Sequence, residues 1–229
     1  MEKNTSGKRS RKQYSEIENP VEYGYVDVKP LNYIQGQYMD AIQRNSITFG
    51  VGSAGTGKTY IAANYAAGEL FHRRAKKIIL TRPNVEMGRG LGFIPGSIEE
   101  KYAPYLEPFA DVFIKFLGKG FYEYCLRTKV IDPKPLGYLR GKSFEDAIVL
   151  CDEMQNCSVL EIKTLLSRIG KNCKMIISGD PDQADIRDSG LIDATKRLGN
   201  IPGIEVVTFL DSDIVRSKLC KQIIMAYRN

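Results

Sequence analysis

The strongest chemical signal in the chain is one glycine-rich segment, which reads GSAGTGKT. It matches the full G-x-x-x-x-G-K-[ST] phosphate-binding pattern. Glycines let backbone N–H groups turn inward around a β-phosphate, and the N-terminus of a following helix adds partial positive charge. We expect Lys58 to reach the β- and γ-phosphates and Thr59 to place its hydroxyl on Mg²⁺. The predicted nucleotide contacts are Gly52, Ser53, Ala54, Gly55, Thr56, Gly57, Lys58 and Thr59.

An acidic pair follows an apolar run later in the chain. Residues 147–153 read AIVLCDE, which predicts a buried strand that ends beside Asp152 and Glu153. Asp152 is the predicted magnesium ligand, directly or through water, and Glu153 is placed as the general base for an attacking water. Such a pair at a strand end can also be a helix N-cap. Beside the phosphate-binding pattern it predicts hydrolysis of ATP with Mg²⁺.

Two glutamines are candidates for further nucleotide contacts. Gln183 ends the segment SGDPDQ and could contact the γ-phosphate or the attacking water; the alternative is an ordinary turn. Gln37 precedes the glycine-rich segment on a predicted helix and could pair with the adenine edge; the alternative is a surface glutamine. The chain contains no N-K-x-D motif, which favours ATP over GTP.

These residues need a scaffold, and the sequence alternates between short apolar runs and longer helical stretches. Strands are predicted at 46–50, 77–81, 147–151, 174–178 and 205–210. Helices are predicted at 31–44, 58–72, 98–117, 159–169, 189–197 and 213–227. Runs that are apolar on both faces are typical of parallel strands covered by helices on both sides. The alternation therefore predicts an α/β fold.

The composition is that of a globular protein of 229 residues, with 43% hydrophobic and 26% charged residues. No apolar run is long enough to cross a membrane, and the start lacks a signal-peptide pattern. The five cysteines contain no C-x-x-C pair, which favours reduced thiols and a cytoplasmic location. We expect one domain over residues 26–229, after a basic tail at residues 1–25.

The start of this tail, and not the tail as a whole, carries most of the net charge of +6. Its first twelve residues contain five basic side chains and only Glu2 as an acid, so they hold +4 and leave +2 for the rest of the chain. Such a tail could be an electrostatic arm for nucleic acid or a solvated, disordered terminus. Composition alone does not choose between them.

Together, the motifs make the chain resemble the PhoH family of P-loop ATPases. The resemblance covers about residues 31–227 and includes LGFIPGSIEEKYAPYLEP, RGKSF, DEMQN, SRIGKNCKMIISGDPDQAD and DSDIVRS. The chain departs from the family at Ser217, where histidine is common, at Cys151, where an aliphatic residue is usual, and at Glu161, where glutamine is common. Ser217 follows Arg216 in DSDIVRS, the segment that resembles the family's C-terminal arginine motif.

This resemblance implies a RecA-like P-loop NTPase core related to superfamily 1 helicases, in the cytoplasm. It implies a parallel sheet of order 5-1-4-3-2, in which the Gly-Asp-Pro strand separates the P-loop strand from the strand that ends at Asp152. Members are regarded as ATPases and as candidate RNA helicases. No nuclease domain is evident in the sequence.

A single RecA-like core leaves one side of the γ-phosphate open. An arginine finger raises the rate of related P-loop enzymes by roughly 10³–10⁵. We hypothesise that Arg216, expected on the C-terminal helix, acts in trans in a head-to-tail homo-oligomeric ring, most simply a hexamer. The alternative is that Arg216 makes a surface salt bridge.

The segment 82–96 contains several glycines and is the predicted surface for single-stranded RNA or DNA. Arg82 and Arg89 could contact phosphates, and Phe93 could stack on a base. Phe93 could equally be a core anchor that fixes the loop. Two other classes of function remain open at this stage, a small-molecule kinase and a nucleotide-gated scaffold.

Overall fold

A computed structural model describes residues 25–83, 106–139, 141 and 143–226. In this part of the chain six strands form one sheet in which every neighbouring pair is parallel. The strands are β1 (Ile47–Gly52), β2 (Lys77–Thr81), β3 (Ile131–Pro133), β4 (Ala147–Cys151), β5 (Lys174–Gly179) and β6 (Ile204–Phe209).

The strand order is β3-β2-β4-β5-β1-β6. For the five predicted strands this order is the implied 5-1-4-3-2 read from the other edge, so the prediction is confirmed. The Gly-Asp-Pro strand, β5, lies between β1 and β4 as expected. The sixth strand, β3, pairs with β2 at the edge and was not predicted.

The described helices are α1 (Tyr33–Arg44), α2 (Lys58–Phe71), α3 (Glu107–Leu117), α4 (Lys119–Arg127), α5 (Val159–Leu166), α6 (Gly190–Leu198) and α7 (Lys218–Ala226). Capping side chains fix two of the starts. The Asn32 side chain accepts a hydrogen bond from the backbone N–H of Gln35 before α1, and Ser158 forms a capping box with Glu161 before α5. None of these helices has the length and apolar character needed to cross a membrane.

Helices cover the sheet on both faces because each central strand is apolar on both sides. On β4, Ile148 and Leu150 pack into the core that contains buried residues of α1 to α4. Val149 and Cys151 point to the opposite core, which contains buried residues of α5 and α6. This alternation gives a helix–sheet–helix sandwich, the α/β arrangement that the sequence predicts.

The structure corrects several predicted boundaries. The predicted C-terminal helix at 213–227 begins only at Lys218, since a short 3₁₀ turn, Asp211–Asp213, and an irregular segment precede it. The helix α4 was missed. The predicted helix at 98–117 is described only from Glu107, and residues 98–105 lie outside the described part of the chain. The predicted basic tail also lies outside it, apart from Tyr25.

Candidate nucleotide-binding site

The carboxyl ends of β1, β4 and β5 meet at one edge of the sheet because the strands are parallel and adjacent. A cavity of about 610 Å³ opens there, lined by residues that follow each of these strands. Open α/β sheets bind ligands in the crevice outside the carboxyl ends of their strands. Five of the predicted nucleotide residues therefore line a cavity at the position that the topology favours, namely Ala54, Gly55, Gly57, Lys58 and Thr59.

The glycine-rich loop connects β1 to α2, and its glycines have left-handed backbone conformations. The φ angles are 121° at Gly52, 76° at Gly55 and 90° at Gly57. A Cβ atom on Gly52 would lie 2.0 Å from the backbone oxygen of Phe209. Only glycine satisfies both the dihedral angle and the close approach of β6 at this position.

Lys58 lies at the first position of α2 and is buried. Its Nζ donates hydrogen bonds to the carbonyl oxygens of Gly52 and Ser53, both at 2.7 Å, and to Thr56 Oγ1 at 3.2 Å. The ammonium group is therefore folded back over its own loop, inside the cavity wall. A flexible four-carbon side chain can turn from these carbonyls to a phosphate that enters the loop.

Thr59 and Asp152 come together as predicted. The Thr59 hydroxyl donates to Asp152 Oδ1 at 3.0 Å. The hydroxyl of Ser178, on β5, donates to the same oxygen at 2.8 Å. Asp152 is 4% exposed, so its carboxylate is held almost entirely by protein groups. A hydroxyl and a carboxylate oxygen at this separation are the hard ligands that Mg²⁺ prefers.

Glu153 also lines the cavity, and the side chain of Gln155 orients it. The Gln155 side chain donates through Nε2 to Glu153 Oε2 at 2.6 Å and accepts at Oε1 from the backbone N–H of Asp180 at 3.1 Å. Gln155 is 1% exposed. Sequence reasoning did not single out Gln155, although a polar residue two positions after the acidic pair is a signal that could have found it.

Gln183 reaches the cavity together with Asp180, which was not singled out either. Asp180 Oδ2 accepts a hydrogen bond from Gln183 Nε2 and one from the backbone N–H of Ala54, both at 3.0 Å. The carboxylate thus occupies a backbone donor of the glycine-rich loop. Its position at the carboxyl end of β5, next to the loop strand, is the signal that could have identified it.

The structure corrects the prediction for Gln37. Its side chain is exposed and donates to Tyr33 Oη at 3.1 Å, outside the cavity. Gln35 lies in the cavity wall instead, with Nε2 donating to the carbonyl of Thr56 at 2.8 Å and Oε1 accepting from the backbone N–H of Leu31, also at 2.8 Å. Residues two apart on a helix point about 200° apart, so only one of the two can face inward.

Arg216 lines the cavity of its own chain. A Cβ atom on Gly55 would lie 3.0 Å from Arg216 Cδ, and the backbone N–H of Val215 donates to the Gly55 carbonyl at 3.1 Å. Arg216 lies two residues before α7, so its expected position on the C-terminal helix is wrong. Its side chain extends over the glycine-rich loop.

Arg82 belongs to this cavity as well, although it was predicted for nucleic acid. Its Nη2 donates to Asp152 Oδ2 at 2.5 Å, and the guanidinium carbon lies 5.7 Å from the centre of the Phe109 ring. Arg89 and Phe93, the other two predicted nucleic-acid contacts, lie outside the described residues.

Tyr38, on α1, packs against β1 and β6 next to the loop. A Cβ atom on Gly50 would lie 2.8 Å from Tyr38 Oη, and the Tyr38 ring meets the Phe209 ring edge to face at 5.4 Å. Burial raises the pKa of Tyr38 above its usual range, and the nearby Asp152 carboxylate adds to this shift. The phenol is therefore neutral and serves packing.

The donor set fits a nucleotide and a magnesium ion. Gly52, Gly55 and Gly57 carry no Cβ atom, so the backbone at these three positions can approach a phosphate closely. Thr59 and Asp152 would hold Mg²⁺, which commonly takes one or two protein ligands and completes its shell with phosphate and water. When bound, this ion would neutralise charge on the phosphates.

The sheet order, the loop after β1 and the carboxylate after β4 define a RecA-like fold of the P-loop NTPase class. A model of the PhoH-like protein family matches residues 27–228. The chain therefore belongs to the PhoH-like family.

Several curated proteins that are similar to this chain are also PhoH or PhoH-like proteins. The chain is 40% identical over 209 residues to Protein PhoH of Escherichia coli strain K12, an alignment that covers 88% of this chain and 59% of the relative. It is 43% identical over 196 residues to a PhoH-like protein of Bacillus subtilis strain 168, covering 84% and 61%. For a PhoH-like protein of Mycobacterium tuberculosis strain H37Rv the identity is 38% over 203 residues, covering 87% and 58%. The chain thus spans about three fifths of the length of these relatives.

Proposed function

We propose that this protein binds ATP with Mg²⁺ and hydrolyses it. The observation that supports this most directly is the 3.0 Å hydrogen bond between Thr59 Oγ1 and Asp152 Oδ1. It joins the start of the loop helix to the end of a separate strand, in the same cavity as Lys58 and Glu153. This arrangement brings phosphate ligands, metal ligands and a base to one site.

In this proposal Lys58 leaves the carbonyls of its own loop and binds the β- and γ-phosphates. The backbone N–H groups of the loop hold the β-phosphate, so the Asp180 carboxylate gives up the Ala54 N–H. Glu153 takes the proton from the attacking water, and Gln155 fixes the orientation of Glu153. Gln183 orients the water or the terminal phosphate without adding charge.

The adenine side of the cavity is assigned to the wall that contains Gln35. Val28 and Leu31 supply apolar surface there, and Gln35 ties this wall to the carbonyl of Thr56. The same wall contains Lys29. Gln35 thus takes the place that the sequence predicts for Gln37, but as a residue that holds the base-side wall in position, because both ends of its amide already bond to backbone groups.

Phosphate release tests the hydrolysis. Glu153→Gln keeps the shape and the Gln155 contact but removes the base, so it should lower kcat by roughly 10²–10⁴ while fluorescent ATP still binds. Lys58→Ala should weaken binding itself. Equal turnover in wild type and Glu153→Gln would contradict the assignment of Glu153.

Coupling to single-stranded RNA, or DNA, is the second part of the proposal. It rests on the family to which the chain belongs and on the basic composition of the first twelve residues. Phosphate release that rises when RNA is added supports a nucleic-acid motor. Binding of ATP without turnover would indicate a nucleotide-gated scaffold, and transfer of the phosphate to a metabolite would indicate a kinase.

We also propose that the protein assembles into a ring in which Arg216 acts on a neighbouring subunit. The alternative is that Arg216 acts on the nucleotide of its own chain. Arg216 lies over the loop of its own chain, which favours action in cis. Mixing Lys58→Ala subunits with Arg216→Ala subunits separates the two. Recovered hydrolysis supports action in trans, and no recovery in a proven mixed oligomer supports action in cis. Mass determination in solution gives the number of subunits.

A further inference from the structure

Arg82 is brought to Asp152 by the register of two neighbouring strands. Thr81, the last residue of β2, pairs with Cys151, the last residue of β4. The backbone N–H of Asp152 extends this pairing with a 3.0 Å hydrogen bond to the Thr81 carbonyl. The next side chain on each strand therefore emerges at the same edge of the sheet.

The two side chains form an ion pair that is almost hidden from solvent. Arg82 Nη2 lies 2.5 Å from Asp152 Oδ2, and the side chains are 13% and 6% exposed. The other carboxylate oxygen of Asp152 accepts from Thr59 and Ser178. The Arg82 guanidinium thus occupies the Asp152 carboxylate, which the proposed function assigns to Mg²⁺.

A guanidinium and Mg²⁺ compete for this carboxylate because both are attracted to the same buried negative charge. If the metal takes this carboxylate, the Arg82 guanidinium gives up its contact with Asp152. The phosphates of a bound nucleotide would offer the guanidinium another negative charge, since Arg82 lines the same cavity as Lys58. Arginine is well suited to pair with either a carboxylate or a phosphate.

We propose that Arg82 exchanges partners, from Asp152 in the nucleotide-free site to the terminal phosphate when magnesium and a nucleoside triphosphate bind. The inference rests on the proposed function and adds a specificity determinant to it. A diphosphate lacks the phosphate that would hold Arg82, so with a diphosphate Arg82 returns to Asp152 and opposes the metal. Arg82 thereby makes metal binding depend on the third phosphate.

Two binding measurements test the exchange without relying on turnover. Electron paramagnetic resonance of Mn²⁺ gives the metal affinity of the ADP complex, and fluorescent analogues give the ratio of ADP to non-hydrolysable ATP dissociation constants. Both are measured for wild type, Arg82→Gln, Arg82→Lys and the control Arg44→Gln. Arg44 is also an arginine paired with an aspartate, but its 3.6 Å pair with Asp40 is exposed and outside the cavity.

For Arg82→Gln we expect tighter Mn²⁺ binding to the ADP complex, by at least threefold. We also expect a loss of roughly tenfold or more in the preference for the triphosphate, the size of a hydrogen bond to a charged group. Arg82→Lys keeps the competing charge, so its Mn²⁺ affinity should stay near wild type while its triphosphate preference falls several-fold. Arg44→Gln should change neither quantity.

An unchanged triphosphate preference in both Arg82 variants, beside normal nucleotide binding by wild type, overturns this inference and leaves the proposed function intact. If Arg82→Gln does not fold, the triphosphate preference of Arg82→Lys decides. Weakened binding of labelled single-stranded RNA as the sole change would make Arg82 a nucleic-acid contact and would also overturn it. Failure of wild type to bind any nucleoside triphosphate would reject the proposed function, and the exchange with it.

Discussion

Gln35 offers the sharpest test of the site, because Gln37 on the same helix is a matched control. Gln35 is 3% exposed and makes two hydrogen bonds of 2.8 Å, to the Thr56 carbonyl and from the Leu31 N–H. At about 1 kcal/mol each, their loss in Gln35→Ala lowers the free energy of unfolding by about 2 kcal/mol. For a chain of this length that corresponds to a fall in Tm of about 4–8 °C.

The same substitution should weaken nucleotide binding, because Thr56 belongs to the phosphate-binding loop and loses its support. We expect a loss of about tenfold in the affinity for a non-hydrolysable ATP analogue, equivalent to about 1.4 kcal/mol. Thermal unfolding with and without the analogue, followed by circular dichroism, and a fluorescence titration measure both effects.

Gln37→Ala removes a single exposed hydrogen bond, to Tyr33 Oη at 3.1 Å. Exposed substitutions of this kind change stability by about 0.5 kcal/mol or less, or roughly 1–2 °C here. Its nucleotide affinity should match wild type. If Gln37→Ala weakened nucleotide binding as much as Gln35→Ala, the assignment of the base-side wall would be refuted.

Two further outcomes can be measured in the same way. Gly52→Ala places a Cβ atom 2.0 Å from the backbone oxygen of Phe209. Gly203 is also left-handed but has no atom near the added carbon, so Gly203→Ala should cost only the backbone strain, about 1–2 kcal/mol. In urea unfolding Gly52→Ala should therefore be less stable than Gly203→Ala. Burial alone would raise the pKa of Asp132, but its ion pairs with Lys134 at 2.7 Å and Lys77 at 2.6 Å outweigh burial and lower that pKa below its ordinary value of 3.8. The contribution of Asp132 is therefore present above about pH 4 and lost as the pH falls through the lowered pKa. Asp132→Asn should destabilise the protein near neutral pH, and the gap to wild type should close in acid; a gap that is constant with pH would contradict this ion pair.

The central strands and the phosphate-binding loop could be predicted from the sequence because their signals are local. An apolar run with a glycine, proline or aspartate at or just after its end marks each central strand, and the loop motif fixes Lys58 and Thr59 by spacing alone. The edge strand β3 could not be found this way, since it is only three residues long and contains Asp132 and Pro133. Its strand character comes from pairing with β2.

The choice between Gln35 and Gln37 shows that a predicted helix is not enough, because the sequence must also indicate which face of the helix points inward. Buried residues of α1 recur at Gln35, Tyr38, Ala41 and Ile42, the spacing of one helical face. Reading the helix from Tyr38 and Ile42 backwards would have placed residue 35 inward and residue 37 outward. The sequence contained this signal, but a glutamine in an apolar stripe carries too little hydrophobicity to mark it.

The pairing of Arg82 with Asp152 had no local signal, because it depends on which strands are neighbours. In the order β2-β4-β5-β1, each strand delivers one group to the same edge, namely Arg82, Asp152, Ser178 and the loop that ends at Lys58. Groups from neighbouring strands can be far apart in the sequence, for example 126 residues in the hydrogen bond from the Ala54 N–H to Asp180, which follows β5. A slip of one residue in any strand would turn its side chains to the opposite face of the sheet. The strands β1, β4 and β5 are buried, and the packing that fixes their register also fixes how far Asp152 lies from Thr59, which follows β1. Substitutions in these strands that leave every site residue in place but disturb this packing should therefore still alter nucleotide binding.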